Sequence, residues 1–373
     1  METPKDEAEL VGLIGDAVKN KWRLSIEGHG TKRAFGPEVE ADRSLSLSAL
    51  SGVTLYEPEE LVLSARAGTP LALIQDTLAE QGQQLAFDPP NWCHLWHSAG
   101  TGQTIGGVMA SGLSGPNRIS AGAARDFLLG CHWVNGRAEL MRSGGRVMKN
   151  VTGYDIPKLM AGSFGTLGIM TDVTLKVLPR PDHDATLYVE VEAPDDDSAV
   201  MPAALSSAQA VSAALYDPDV SLVYLRLEGT PLSVEDRLKK LRDLREGTVV
   251  EGAASTALWA RLRDLTAFTD ELLVWLIALP PTAMPAFVSQ AGGGRVLADW
   301  GGGRIVFAGA DPLAHIAPLG GHRKLLRGSK QERREIPFSG PISAAERILS
   351  DRLRESFDPL GLFNPGRLSF AEG

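Results

Sequence analysis

Cysteine is scarce in this chain: there are only two among 373 residues, Cys93 and Cys131. Two cysteines cannot supply the ligands of an iron–sulfur cluster or a framework of disulfides. Long apolar runs are missing as well, since the best one, Leu272 to Pro280, falls far short of the roughly 20 residues that span a bilayer. The opening residues METPKDEAEL lack the basic and then apolar layout of a signal peptide. These absences predict a protein of the reducing cytosol without a membrane span of its own.

An excess of positive charge is also missing. The formal net charge is −9, which argues against binding to nucleic-acid phosphates. One basic stretch, HRKLLRGSKQERRE from His322 to Glu335, fits either a solvated loop or a docking patch for an acidic partner subunit. No GxGxxG sequence opens a long helix and no GxxxxGK[ST] sequence occurs, so neither a Rossmann NAD site nor a P-loop is supported.

Glycine, by contrast, is plentiful, and its clusters between Thr104 and Pro179 alternate with Val, Ile, Leu, Phe and Met. Glycine costs backbone entropy, so each cluster needs a reason such as positive φ or close approach of the backbone to another group. The interleaved apolar residues exclude a flexible linker. Because a large flat anion lying along backbone amides would require this arrangement, the clusters predict a nucleotide cofactor site.

An earlier glycine turn follows a predicted strand at Gly28-His29-Gly30-Thr31-Lys32. Successive N–H groups in such a turn can form an anion-binding nest for a pyrophosphate. A Gly-X-Gly turn between strands can equally be structural. The turn alone therefore leaves both interpretations open.

The chain length suits two domains of ordinary size or one domain with a large insertion. Thr3, Pro4 and Asp6 predict the start of an N-terminal helix with a capping box. Another helix is predicted from Thr69 to Gly82, and PRPDHDA after Leu178 reads as a linker. Beyond it, an Ala-rich helix is expected over Ala199 to Ala214. Further helices and strands alternate with few glycines, including a helix capped by Ser233 and Asp236, which favours an α+β layer.

Taken together, the glycine motifs resemble a known flavoprotein family. Five of them come in the order of FAD-binding flavoproteins of the vanillyl-alcohol oxidase type, with a PCMH-type FAD-binding domain: Gly28-His29-Gly30-Thr31, Gly68-Thr69-Pro70-Leu71, Thr104-Ile105-Gly106-Gly107, Gly153-Tyr154-Asp155 and Gly165-Thr166-Leu167-Gly168-Ile169. The closing Asn364-Pro365-Gly366-Arg367 resembles that family's C-terminus. More narrowly, three segments look like the FAD-binding E subunits of bacterial glycolate oxidases: Leu85 to Pro90, Gly115-Pro116-Asn117-Arg118 and Val147 to Asp155.

The resemblance implies an α+β fold with a two-subdomain FAD-binding domain and an α+β, ferredoxin-like cap. The implied ranges are 1–180 for the FAD domain (subdomains about 1–65 and 66–180), 183–325 for the cap and 326–373 for a segment returning to the FAD domain. It implies FAD bound non-covalently, since His29 sits within the glycine run rather than after it. The implied cofactor-binding residues are Gly28, His29, Gly30, Thr31, Lys32, Thr104, Gly106, Gly107, Ala110, Gly112, Gly115, Arg118, Ile169 and Asn364.

The resemblance further implies a subunit of a multi-subunit glycolate oxidase, in which a 2-hydroxy acid is oxidised and electrons pass through FAD to an iron–sulfur subunit. Related dehydrogenases carry an HGHxGDGNxH-like cluster, which this sequence lacks. That absence suggests a paralogous catalytic flavin subunit, with the complex cytoplasmic and, through its partners, at the inner membrane. His94 and His97 have no apparent third ligand, so no metal site is expected, and the catalytic residues stay unknown.

Two alternatives remain open on the sequence. The chain could be a free-standing FAD oxidoreductase acting on another alcohol or hydroxy acid, with Arg118, Lys149 or Arg367 holding a carboxylate. It could also be a structural subunit that has lost its flavin. The intact glycines at Gly28, Gly30, Gly106 and Gly107 argue against that loss, because a degenerate site has no reason to keep the entropy cost of glycine.

Overall fold

The structure is a computed structural model that describes residues 1–98, 102–145, 154–191 and 194–371. In chain order the helices are α1 (Glu7–Asn20), α2 (Leu71–Ala79), α3 (Ile105–Ser111), α4 (Arg118–Ala121), α5 (Ala124–Phe127), α6 (Ile156–Met160), α7 (Pro194–Ser206), α8 (Pro231–Leu244), α9 (Ala253–Arg263), α10 (Met284–Gln290), α11 (Leu313–Ile316), α12 (Glu332–Glu335) and α13 (Ala344–Phe357). The strands are β1 (Leu24–Glu27), β2 (Arg43–Ser46), β3 (Val53–Glu57), β4 (Val62–Arg66), β5 (Gln83–Gln84), β6 (Leu128–Val134), β7 (Leu140–Gly144), β8 (Ile169–Lys176), β9 (Leu178–Pro179), β10 (His183–Glu190), β11 (Ala213–Asp217), β12 (Leu222–Gly229), β13 (Thr248–Glu251), β14 (Val274–Ala278), β15 (Arg295–Asp299), β16 (Arg304–Ala308) and β17 (His322–Arg327).

The chain divides into two compact units. The first lies within Met1–Leu113, Ala123–Pro179 and Lys330–Gly373, and the second within Ser114–Gly122 and Arg180–Ser329. The break after Pro179 falls at the PRPDHDA segment, and the C-terminal residues belong to the first unit. Residues 114–122, which the sequence analysis assigns to the FAD domain, instead belong to the second unit.

The first unit contains two principal sheets. Strands β1 and β2 pair in parallel, while β3-β4-β8-β6-β7 form an antiparallel five-stranded sheet. Leu10, Ile14 and Ala17 of α1 are buried in a core that also contains residues of β1 and β2. Because β3 and β4 belong to the five-stranded sheet, the boundary between the subdomains precedes Val53 rather than following residue 65.

The N-terminal helix begins later than the sequence predicts. Asp6, not Thr3, is its N-cap: the Asp6 side chain accepts a hydrogen bond of 2.8 Å from the Glu9 N–H. Asp6 has extended backbone angles (φ −147°), as an N-cap requires, and its side chain satisfies an N–H that has no partner within the helix. The helix ends at Asn20, followed by Lys21 in the left-handed conformation.

The second unit is built on an eight-stranded antiparallel sheet in the order β13-β10-β12-β11-β15-β16-β14-β17. The Ala-rich helix predicted over 199–214 ends at Ser206, because Ala213–Asp217 forms β11, in which every residue is buried against its neighbours. Burial in a sheet thus overrides the helix preference of alanine. The next helix, α8, has Thr230 at its N-cap and Pro231 in its first turn. The prediction that Ser233 caps this helix is therefore wrong, because Ser233 lies within it.

The observed mixture of helices and antiparallel sheets gives the α+β class that the sequence predicts. None of the helices in the described ranges is both long enough and apolar enough to cross a bilayer.

Candidate cofactor site

A cleft of about 710 Å³ lies in the first unit. It is formed around the turn after β1, one side of α3 from its N-cap to its last residue, and part of the C-terminal segment. The residues that line it are Met1, Ser25, Ile26, Glu27, Gly28, His29, Gly30, Thr31, Lys32, Arg33, Ala34, Glu38, Val39, Ala41, Ser44, Trp96, His97, Ser98, Thr104, Gly107, Ala110, Ser111, Phe164, Arg333, Asn364 and Arg367.

The turn after β1 leaves its amides available to a ligand. Within the described ranges, the N–H groups of Gly28, Gly30, Thr31 and Lys32 donate to no protein acceptor. Its carbonyls, by contrast, are held: Ser46 Oγ donates to the Gly28 carbonyl at 2.9 Å and Ser98 Oγ to the Thr31 carbonyl at 3.0 Å. A turn fixed through its carbonyls with open N–H groups is a nest suited to an anion.

Two glycines allow the N-terminus of α3 to approach its neighbours closely. A Cβ at Gly28 would overlap Oγ1 of Thr104, and a Cβ at Gly106 would lie 2.6 Å from Cβ of Ala67, which follows β4. Thr104 is the N-cap of α3, accepting a hydrogen bond of 3.3 Å from the Gly107 N–H. Gly28 therefore brings the turn against the N-terminus of α3 at one wall of the cleft, and Gly106 brings α3 against the chain after β4.

Lys32 brings an amine to the cleft. Its Nζ donates to Oε1 of Gln103 at 2.5 Å, and Gln103 in turn donates to the Pro90 carbonyl at 2.9 Å. Burial lowers the pKa of Lys32 to about 8, and the charge of the nearby Cys93 opposes the shift. A lysine whose charge is this poorly solvated gains from an anion placed beside it.

Two arginines hold the loop that follows the turn. Arg367 donates to the carbonyls of Lys32 (2.6 Å), Arg33 and Pro37 (3.3 Å each), and Arg333 donates to those of Gly36 and Arg33 at 2.8 and 3.0 Å. Burial, with a smaller effect from the charge of Arg333, lowers the pKa of Arg367 to about 10. In the part of the chain that the structure describes, Arg367 pairs with no carboxylate.

The cleft has a positive balance in a chain that is negative overall. Its lysine and arginine side chains are Lys32, Arg33, Arg333 and Arg367, whereas its carboxylates are Glu27 and Glu38. Arg33 pairs with Glu27 at 2.5 Å, and Glu38 pairs with two basic residues of the C-terminal segment. Among the described residues Lys32, Arg333 and Arg367 form no salt bridge, which leaves them as cations suited to a dianionic diphosphate.

Asn364 joins three segments of the first unit. Its Oδ1 accepts from the Ile26 N–H and its Nδ2 donates to the Phe164 carbonyl, both at 2.8 Å. The residue has φ +43°, a conformation that asparagine tolerates better than most residues. Because both ends of the amide are bonded to backbone, Asn364 braces the wall of the cleft.

The predicted site residues divide into three groups. Those that line the cleft are Gly28, His29, Gly30, Thr31, Lys32, Thr104, Gly107, Ala110 and Asn364. Gly106, Gly112 and Ile169 lie behind it: Gly106 faces Ala67, Gly112 ends α3 with φ +63°, and Ile169 is buried at the start of β8.

Gly115 and Arg118 belong to the second unit. The Gly115 carbonyl accepts from Trp300 Nε1 at 2.9 Å, and the Arg118 guanidinium lies 4.2 Å from the centre of the Trp300 ring. Lys149 and most of the Val147 to Asp155 motif lie outside the described residues. His97 lines the cleft, whereas Nε2 of His94 is buried and bonds to no described group. In the described ranges no three His, Cys, Asp or Glu side chains form a metal-binding group.

Sequence reasoning missed the aromatic side of the cleft. Trp96 and Phe164 both line it, and both pack on the buried Phe35. Their ring centroids lie 5.4 Å (Trp96) and 5.3 Å (Phe164) from the ring centroid of Phe35. It also missed Arg333, which lies in the basic stretch noted above. No local motif marks these residues, because they are far apart in sequence and converge only on folding.

Comparison with known proteins agrees with this geometry. Residues 2–144 match the FAD binding domain family. The chain is 33% identical to the glycolate oxidase subunit GlcE of Escherichia coli strain K12, over 96% of each protein. It is 34% identical to the glycolate oxidase subunit GlcD of Bacillus subtilis strain 168, over 51% of this chain and 39% of that protein. A solved structure of alkyldihydroxyacetonephosphate synthase shares the fold, with a TM-score of 0.65 at 16% identity, covering 97% of this chain and 76% of that one.

These findings define first a class: the protein is an FAD-dependent oxidoreductase of the kind that acts on CH–OH groups, with an FAD-binding domain of the vanillyl-alcohol oxidase type. Within that class, the chain belongs to the family of FAD-binding E subunits of bacterial glycolate oxidases. The residues of the cleft fit the cofactor, because open amides and cations without a carboxylate partner among the described residues suit the diphosphate, while Trp96 and Phe164 offer apolar surface to a ring.

Proposed function

We propose that this chain is the FAD-holding subunit of a multi-subunit enzyme that oxidises glycolate, or a closely similar 2-hydroxy acid, to the corresponding oxo acid. Electrons leave through its FAD toward an iron–sulfur partner subunit. The proposal is supported by the full-length similarity to a protein named as a glycolate oxidase subunit, and by the half-length similarity to a second such subunit. The complex works in the cytoplasm, meeting the inner membrane only through its partners.

The single observation that carries the proposal is the cleft itself. The open N–H groups at Gly28, Gly30, Thr31 and Lys32 and the cations of Lys32 and Arg367 hold the FAD diphosphate, and Asn364 keeps the wall in place. When bound, FAD supplies the redox chemistry. The contribution of this chain is to bind and orient the cofactor and to shield it from water.

FAD is held without a covalent bond in this proposal. His29 is the candidate for a linkage, and its Nδ1 lies 2.9 Å from the Gly102 carbonyl oxygen, so that nitrogen already has a backbone partner. Acid precipitation of the purified protein is then expected to release all of the flavin into the supernatant. Flavin that stays with the precipitate would establish a covalent link.

Substrate oxidation itself belongs to a paralogous catalytic flavin subunit, and this chain relays electrons. The test is an absorbance spectrum of the chain purified alone, followed by anaerobic addition of glycolate. Bands of oxidised flavin that persist after glycolate support the relay. Rapid bleaching would make this chain the dehydrogenase and overturn the division of labour. A chain that binds no flavin, alone or with added FAD, would instead be a structural subunit.

A further inference from the structure

The C-terminal helix α13 presents its apolar side chains to solvent. Ile348, Leu349 and Leu353 are 53%, 61% and 38% exposed, and Leu360 just beyond the helix is 46% exposed. Thirteen large apolar side chains are exposed in the described part of the chain, and these four fall within 13 consecutive positions, whereas the others are scattered. Such a concentration marks an interaction surface rather than ordinary surface composition.

The opposite side of α13 faces its own domain, and that side is polar. Arg354 donates to the Leu368 carbonyl at 2.7 Å and Arg347 to the Ala371 carbonyl at 3.2 Å. No residue of the helix is fully buried. Its N-terminus carries a capping box in which Ser343 and Glu346 exchange hydrogen bonds. The helix is therefore tied to its domain by polar contacts, while Ile348 and Leu349 stay more than half exposed.

The exposed side has the spacing of a helix that binds in a groove. Ala345, Leu349 and Leu353 recur every four residues and lie on one face, with Ile348 beside them and Arg352 at the edge of the stripe. Helix-in-groove recognition uses such anchors, one on each turn. Arg352 is exposed next to the apolar anchors, so a fitting groove carries a carboxylate opposite it.

A second copy of this chain fits the stripe poorly. Antiparallel pairing of two α13 helices about their midpoint would place the two Arg352 side chains within a turn of each other. Each chain also carries a net charge of −9, so two copies repel.

We propose that the apolar stripe of α13 docks into a groove on a different polypeptide, a partner subunit of the complex, in which apolar walls surround a carboxylate that pairs with Arg352. The inference rests on the proposed function, because it requires a multi-subunit enzyme. It adds which surface of this chain makes the attachment and which chemistry receives it.

The test uses the full chain, affinity-tagged and co-expressed with the two proposed partners, the catalytic flavin subunit and the iron–sulfur subunit of the same organism. Leu349→Glu and Leu353→Glu are compared with Leu73→Glu, which alters a side chain of similar exposure (46%) on α2 of the same unit. Retention of a partner is expected to fall at least tenfold in both stripe variants and to remain unchanged in the control. The melting temperature and flavin content of the chain purified alone are expected to stay the same in Leu349→Glu, because Leu349 is the most exposed large apolar side chain of the stripe.

Charge is tested at Arg352. Arg352→Glu is expected to reduce retention of the partner, and Arg352→Lys to preserve it. If the wild-type chain retains neither subunit, both the proposed function and this inference fail. If it retains a partner and the stripe variants retain it equally, only this inference fails. If light scattering shows that the chain alone is a dimer and that Leu349→Glu is a monomer, a second copy occupies the stripe and the inference is overturned.

Discussion

At the scale of single residues, the cleft depends on N–H groups that have no acceptor among the described residues. The amides of Gly28, Gly30, Thr31 and Lys32 would each cost free energy if buried without a partner. We expect a bound anion to satisfy them. The same reasoning explains why Gly28 is glycine, since only a residue without Cβ allows Thr104 to approach the turn.

Gly28→Ala is expected to remove FAD binding. The added Cβ would overlap Oγ1 of Thr104, so either the turn or the cap of α3 must move. We expect the variant to be purified with less than a tenth of the wild-type flavin, measured by absorbance after denaturation. Gly12→Ala is the matched control, because that glycine is exposed in α1 with open space where Cβ would lie. It should keep its flavin and gain about 0.5–1 kcal/mol of stability; equal flavin in both variants would contradict the assignment.

Lys32 makes FAD binding dependent on pH. In the free protein burial lowers its pKa to about 8, and an adjacent diphosphate raises the pKa of a lysine. The FAD-bound protein therefore keeps the Lys32 proton at pH values above 8, where the free protein loses it. The affinity for FAD consequently falls as the pH rises beyond 8, by up to about tenfold per pH unit. Titration of the apoprotein with FAD between pH 7 and 9.5, followed by flavin fluorescence, measures this fall. Lys32→Arg should flatten the profile, and a wild-type profile without a slope would show that Lys32 does not meet the diphosphate.

At the scale of elements, the sequence predicts what local chemistry decides and misses what distant contacts decide. The turn after β1 and the N-terminus of α3 follow from glycine and threonine motifs, and both line the cleft. The strand β11 is missed because its alanines favour a helix, and burial between β12 and β15 decides otherwise. Residues 114–122 lie in the second compact unit, where the Gly115 carbonyl accepts a hydrogen bond from Trp300, 185 positions away. Such contacts leave no local pattern.

The C-terminal segment is tied to β1 by a backbone bridge between Leu24 and Phe363 and by the side chain of Asn364. Asn364→Ala removes both hydrogen bonds of its buried amide and leaves the Ile26 N–H and the Phe164 carbonyl without partners, a loss of about 2–4 kcal/mol. We expect a lower melting temperature together with weaker FAD binding. Asn364→Gly separates the loss of the side-chain amide from backbone strain, because glycine accepts φ +43° without strain but still lacks the amide. Both variants should lose affinity, with alanine the less stable; an Asn364→Gly protein of full stability would mean that the amide contributes nothing.

At the scale of the whole molecule, charge and apolar surface are distributed unevenly. The chain carries a net charge of −9, yet basic side chains outnumber acidic ones two to one in the cleft. Four of the thirteen exposed large apolar side chains among the described residues likewise cluster on or just beyond α13. The basic cleft and the apolar side of α13 both belong to the first unit. One unit thus holds the groups suited to a cofactor and the surface suited to a partner subunit.

Removal of FAD is expected to loosen particular segments of the first unit. Ligand binding stabilises the folded form by mass action, and its effect on hydrogen exchange is greatest where the ligand satisfies open N–H groups. Exchange measured by mass spectrometry, with and without saturating FAD, should show the strongest protection in 25–34, 104–111 and 164–167. The strands of the second unit's sheet, whose amides are already paired in the ladder, serve as the internal control. Protection that spares the turn at Gly28 to Lys32 would place the cofactor elsewhere, because those N–H groups are the ones that the protein itself leaves without acceptors.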